Sequence, residues 1–174
     1  MAEEGVCGGL EDIQYIQTAK KVGVSESRVR ACVREWILER PLTLLREYRY
    51  PYIREFCLAL QKRSVQLAVF SDYPAMDKIK ALGLPKMLTF CSTEKQIDVF
   101  KPSPKGLLHV INQIGAPMEC CILIGDRDDR DGECARRAGI RYLLKGNIGG
   151  AAKHQFECYS RLLEEFRNAY NCTG

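Results

Sequence analysis

The chain changes its hydrophobic period near residue 50. Ahead of it, apolar positions recur at helical spacing, first Ile13, Ile16 and Ala19, then Val29, Val33, Trp36 and Ile37. Gly23 interrupts the first run, Ser25 is placed to cap the second, and Pro41 ends it. Leu42, Leu44 and Leu45 open another apolar segment, and Ile53, Phe56, Cys57 and Leu60 mark a helical face after Pro51. Beyond this point short apolar runs alternate with helical ones. Val65–Phe70 reads as a strand entering Ser71-Asp72-Tyr73-Pro74, where Pro74 stops it. A helix through Met76, Ile79 and Leu82 closes at Gly83, a strand follows at Met87–Cys91, and Ser92–Val99 is a loop. Ser103 and Pro104 are the expected cap and first residue of a helix that buries Leu107, Leu108, Ile111 and Ile114 and stops at Gly115. Cys121-Ile122-Leu123-Ile124 is wholly apolar, as a buried parallel strand requires. A strand at Arg141–Leu144, a Gly-rich turn at Gly146–Gly150, a helix near Gln155–Phe166 and a loose tail after Asn168 complete the chain. The alternation predicts an α/β fold, a doubly wound parallel sheet of about four strands over residues 51–174. Residues 1–50 form an N-terminal helical segment beside it.

Composition narrows the setting. With 174 residues, 46% hydrophobic and 28% charged, the chain can bury one sizeable core. No apolar run approaches the ~18 residues that span a bilayer, and the start MAEEGVCGGLED is acidic rather than signal-like. A cytoplasmic protein without a membrane partner is expected. The nine cysteines include no C-x-x-C pair, which predicts buried, reduced thiols and neither a disulfide framework nor a zinc site. His109 and His154 lie far apart on predicted helices, which argues against a His-centred catalytic pair.

The strongest candidate chemistry follows the Cys121–Ile124 run. Gly125 lets the backbone turn, and Asp126, Asp128, Asp129 and Asp131 crowd into the next six positions. Asp131 is placed to cap a helix through Cys134, Ala135 and Ala138 that Gly139 ends. The carboxyl end of a parallel strand is where open α/β sheets bind ligands. Crowded carboxylates repel unless a cation sits among them, and hard oxygen ligands suit Mg²⁺. Neutralisation by Arg127 and Arg130 would instead leave a solvated acidic turn. A calcium loop starting at Asp126 fails on spacing, since Arg130 and Asp131 stand where it needs an oxygen ligand and a glycine.

A strand ending at Ser71, then Lys101-Pro102, then Gly125-Asp126 with Asp131 five positions on, resembles the haloacid dehalogenase (HAD) superfamily of phosphatases and dehalogenases. The resemblance covers about residues 50–145. It implies a Rossmann-like core and a phosphorylated small-molecule substrate. It also implies that Ser71 binds the transferring phosphoryl group and Lys101 holds the phosphate and neutralises the nucleophile. Asp126 would coordinate Mg²⁺ with Asp131 in support. The residue types suit the chemistry, a hydroxyl and an ammonium for equatorial oxygens and carboxylates for the cation.

One part of the pattern is missing. The family's nucleophile is the first Asp of a D-x-D motif after an apolar strand, and this chain has no D-x-D before residue 100. Asp12 precedes a helix and cannot replace it. Residues 12–48 match a helical cap, and the chain resembles a member that begins just after its nucleophile strand. Three expectations follow: no phosphate-ester hydrolysis by this chain alone, weak or absent Mg²⁺ binding, and a gap between the strands ending at Ser71 and Asp126. In the family the nucleophile strand fills that gap, about 10 Å wide. Residues 1–11 make a poor substitute strand, so direct pairing into a distorted four-stranded sheet, or a marginal monomer that another chain could complete, is expected. Two readings from other classes stand beside the hydrolase. One is a non-catalytic scaffold or regulatory subunit that keeps the fold to bind a protein partner. The other is a DNA-binding helix-turn-helix at residues 15–38, with Arg28, Arg30 and Arg34 on its second helix. Eight basic and eight acidic residues in the first fifty argue against nucleic acid.

Overall fold

The computed structural model describes residues 9–146 and 154–171. It opens with two helices, α1 (Leu10–Val22) and α2 (Glu26–Val33). Glu11 and Asp12 in the first turn of α1, and Lys20 and Lys21 in its last, complement the helix dipole. Gly23 takes the left-handed conformation that ends α1, and the Ser25 hydroxyl accepts from the Arg28 N–H to start α2, a cap worth about 1 kcal/mol. Arg30 bridges the helices by donating to Asp12 and Glu26 while it lies over the Tyr15 ring. The chain continues as a π-wound turn over Arg34–Glu39 and a 3₁₀ turn over Arg40–Thr43, with Trp36, Ile37 and Leu44 exposed.

The remainder alternates strands and helices: α3 (Ile53–Lys62), β1 (Ala68–Ser71), α4 (Met76–Ala81), β2 (Leu88–Cys91), α5 (Lys105–Ile114), β3 (Ile122–Gly125), α6 (Glu133–Ala138), β4 (Arg141–Lys145), β5 (Gln155–Phe156) and α7 (Tyr159–Asn171). Every strand pair is parallel, so the α/β class read from the sequence holds. One helical layer centres on Leu107, Ile111, Cys134, Ala135, Ala138 and Ile140, with Phe70 of β1 and Leu123 of β3 packed against it. The other joins α3 to α7 through Phe56, Tyr159 and Leu163, and covers Ile124 and Leu143. At Gly106 a Cβ would meet the Phe70 ring at 2.2 Å, so glycine lets α5 seat directly on β1.

The strands form two sheets rather than one of four, β1-β2 and β3-β4-β5. Among the described residues nothing pairs with the second edge of β1 or of β3, so the direct pairing expected across the gap is not the arrangement found. Residues 1–8, most of the segment weighed as a substitute strand, and residues 147–150 of the Gly-rich turn lie outside the described residues.

Several boundaries differ from the sequence reading. The first strand starts at Ala68 instead of Val65, and the last helix starts after the short β5 and runs on to Asn171, past the point where a loose tail was expected. Pro104 occupies the cap position of α5, and Ser103 Oγ accepts from the Lys105 N–H. His154 lies in a 3₁₀ turn directly before β5 and stacks on Tyr142. Of the described cysteines only Cys91 and Cys134 are buried, and all are free thiols. Among the described residues no helix is long and apolar enough to cross a membrane.

Candidate functional site

Arg130, in the turn after β3, pairs with Asp72, directly after β1, and so links the carboxyl ends of the two strands. Ser71 is the last residue of β1, and its Oγ accepts from the Tyr73 N–H at 3.2 Å, leaving the hydroxyl proton available. Lys101, in the segment entering α5, reaches the turn after β3 and donates from Nζ to Asp131 Oδ1 at 2.7 Å. Both side chains of this pair are largely buried, 13% and 10% exposed, and the ammonium also lies over the Phe70 ring. An ammonium carries three N–H donors, so Lys101 keeps donors for a further anion.

Asp131 does not cap α6, which begins at Glu133 with Gly132 in the cap position. It lies inside a π-type turn over Asp128–Gly132, and its second oxygen accepts from the Asp126 and Arg127 N–H groups, each at 3.2 Å. The carboxylate thus points back at its own strand end. Gly125 permits this, because a Cβ there would meet the Asp131 Cβ at 2.4 Å.

Two of the other three acids of the turn, Asp128 and Asp129, are neutralised. Arg127 pairs with Asp129 and holds its carboxyl below the usual range. Arg136 pairs with Asp128, which raises the guanidinium further above its ordinary value. Arg130 reaches across to β1 and donates to Asp72 Oδ2 at 3.0 Å. Asp126 is exposed, and among the described residues it is the member of the turn without an ion pair.

Of the four residues selected from sequence, Ser71, Lys101, Asp126 and Asp131 gather around these strand ends, with Lys101 and Asp131 in direct contact. Asp72, Ser92 and Arg130 join the same cluster although the motif pattern does not include them. Asp72 accepts from the fully buried Ser92 hydroxyl at 2.7 Å, from the Lys101 backbone N–H at 3.5 Å and from Arg130. It ties the ends of β1, β2 and β3 together. Its available signal was its place directly after Ser71 at a strand end.

For a divalent cation the donor set is thin. No three His, Cys, Asp or Glu side chains among the described residues are placed to hold an ion. The oxygens of Asp131 already face an ammonium and two N–H groups, which leaves Asp126 as the open carboxylate. These residues do not make a self-sufficient Mg²⁺ site, which needs near-octahedral oxygen coordination.

Beside the site a cleft of about 370 Å³ opens between α1–α2 and the end of β1, bounded on the core side by Asp72, Tyr73, Pro74 and Thr93.

The haloacid dehalogenase-like hydrolase family profile matches residues 7–145. No curated protein sequence matches the chain. Among solved structures, a HAD phosphatase from Thermococcus onnurineus is 19% identical, with a TM-score of 0.59 over 87% of this chain and 86% of its own. A hydrolase from Pseudomonas syringae is 19% identical, with a TM-score of 0.62 over 92% of this chain and 79% of its own. A 2-haloacid dehalogenase from Pseudomonas syringae pv. Tomato is 20% identical, with a TM-score of 0.54 over 68% of this chain. The match spans 53% of that dehalogenase, about half its length. At these identities the likeness concerns the fold.

Proposed function

The chain belongs to the haloacid dehalogenase-like hydrolases, and from that membership we propose a phosphatase-type site at the ends of β1 and β3. Ser71 and Lys101 are its phosphate ligands, and Asp126 with Asp131 forms its cation side. The observation that carries this reading is the position of Lys101, a largely buried ammonium joined to Asp131 with donors to spare. A phosphoryl group beside it would receive those N–H groups and the Ser71 proton, while the cleft takes the rest of a phosphorylated small molecule.

Turnover through a covalent phosphoryl-enzyme needs a free carboxylate at that point. Asp72 and Asp131 are both engaged in ion pairs. Asp126 is open but belongs to the cation side, and no D-x-D precedes residue 100. This chain by itself therefore binds phosphate esters without hydrolysing them, and holds Mg²⁺ weakly through Asp126. Incubation with p-nitrophenyl phosphate and Mg²⁺ is expected to give no release above a mock purification. Steady turnover abolished by Asp126→Asn overturns the inactivity, and calorimetry showing a tight stoichiometric Mg²⁺ site overturns the weak-metal reading.

A second reading, a non-catalytic member that binds a protein partner, is supported by the unpaired edges of β1 and β3. A nucleic-acid role for α1–α2 finds less support, since Arg30 is engaged by Asp12 and Glu26. A cytoplasmic setting fits the free thiols.

A further inference from the structure

A second cavity, of about 220 Å³, opens between the Tyr50–Tyr52 segment ahead of α3, the end of β4 and the start of α7. None of its lining residues belongs to the site at the ends of β1 and β3. One wall is Tyr159, the first residue of α7, which is 8% exposed and packs its ring on Phe56, Phe156 and Tyr50. Burial pushes its hydroxyl up to about 12, which keeps it a protonated donor, and it hydrogen-bonds to no other described residue. Among the described residues no fully enclosed side-chain oxygen or nitrogen lacks a partner, so this hydroxyl opens on the cavity. It is a donor waiting for an acceptor. Lys145 lines the same space. Its ammonium lies over the Tyr50 ring at 4.7 Å and forms no ion pair with a described residue.

Beside these donors stands a nucleophile. Cys158 is exposed, directly precedes α7, and its Sγ accepts from the Ser160 hydroxyl at 3.1 Å. The Ser160 hydroxyl, and after it the Arg161 N–H in the first helical turn, hold the thiol below its ordinary value. The positive end of a 13-residue helix favours the thiolate as well. Cys57, Cys121 and Cys134 are pushed the other way by burial. An exposed thiolate reacts by exchange with disulfides. The cavity sets which disulfide fits, because Lys145 and the Tyr159 hydroxyl suit a carboxylate while the Glu157 carboxylate on the same wall suits an ammonium. We propose that Cys158 is a thiol–disulfide exchange site for a low-molecular-weight disulfide with amino-acid end groups, of the glutathione class, whose carboxylate docks on Lys145 and Tyr159. The Cys158 thiolate attacks one sulfur of that disulfide, and the new S–S bond forms as the old one breaks. The departing thiolate leaves with the electron pair, so Cys158 is oxidised to a mixed disulfide and the released sulfur is reduced. This site is independent of the phosphate reading above.

The test incubates the reduced full chain with oxidised glutathione or with the uncharged hydroxyethyl disulfide, and maps the mixed disulfides by peptide mass spectrometry over time. Oxidised glutathione should modify Cys158 about tenfold faster than Cys32 or Cys120, exposed thiols outside the cavity. In urea that preference should vanish. Tyr159→Phe and Lys145→Met keep the bulk of each side chain, and each should slow the glutathione reaction at Cys158 about threefold while leaving the hydroxyethyl disulfide rate unchanged. Ser160→Ala should slow both disulfides, because it removes the hydroxyl that stabilises the thiolate. No adduct at Cys158, equal rates at the three cysteines, or a preference that survives in urea overturns the proposal. Hydroxyethyl disulfide as selective for Cys158 as glutathione, with Tyr159→Phe and Lys145→Met both without effect, overturns the docked ligand.

Discussion

At the scale of single residues, the site is a set of neutralised charges. Lys101 and Asp131 are the most enclosed pair, and removing one partner leaves the other charged and poorly solvated. Lys101→Ala should therefore cost about 2–4 kcal/mol in a urea titration, somewhat below the range for a fully buried pair because water still reaches both groups. Lys101→Ala/Asp131→Ala should cost less than the sum of the single changes, since neither charge is then orphaned. Additive losses would show that the two side chains do not depend on each other. This pair also marks the limit of what the sequence discloses. Lys101 and Asp131 were identifiable through ordered motifs, but Asp131 read as a helix cap because Asp before a helix usually is one. Its real role depends on the missing Cβ of Gly125, which lets the carboxylate fold back onto two backbone N–H groups. Asp72 was illegible for a related reason: its partners Ser92 and Arg130 lie 20 and 58 residues away and only the fold brings them to it.

At the scale of elements, alternating periods revealed the order of strands and helices, and the errors fall where local pattern is ambiguous. Val65 and Leu67 continue an apolar run but precede β1, because Val65 N–H is used to close α3 against Leu60. Gln155–Phe156 looked helical because the following α7 shares its period, yet β4 offers an edge that pairs them as β5. Helix α6 is short and depends on its ends. Glu133 in its first turn accepts from Arg137 and Arg136, and both guanidinium groups, Arg137 the more strongly, hold its carboxyl below the ordinary range. A carboxylate with a lowered folded pKa contributes stability above the unfolded pKa of about 4.3, and loses it as pH falls through the folded value. The difference in unfolding midpoint between the native chain and Glu133→Gln should thus be largest near neutrality and shrink below about pH 4. A difference that stays constant down to the acid limb would remove Glu133 from the pH response. At the alkaline end, burial pushes the Cys134 thiol to about 11, so its share of stability is present below the ordinary thiol value and declines as pH rises towards 11.

At the scale of the whole molecule, two parallel half-sheets share one pair of helical layers. Phe70 and Leu123 pack on the same cluster, and the Arg130–Asp72 and Lys101–Asp131 bonds join the carboxyl ends, so β1 and β3 point the same way. Parallel strands are normally covered on both faces and paired on both edges inside a sheet. Here no residue of β1 is fully buried, and Ile122 at the start of β3 is 52% exposed. Each strand also presents an edge that no described residue pairs, and backbone groups left without partners in a half-dry slot cost about 1–3 kcal/mol apiece. Ion pairs and helix packing hold the halves together in place of a ladder. An apolar strand joined by a linker ahead of residue 1 and ending in Asp-x-Asp would meet two waiting edges, with its acids beside Lys101. Ordering four or five residues opposes the gain at about 1–2 kcal/mol each. Two ladders and apolar burial on both faces should exceed that cost by a few kcal/mol, raising the melting temperature by about 4–8 °C for each 2 kcal/mol at this chain length. The same extension with proline at alternate positions keeps the apolar content and removes donors, so it should give little of the increase. If the extended and native chains melt together and are equally soluble, the slot between β1 and β3 is not a place for a strand, and the packing of helices alone sustains the fold.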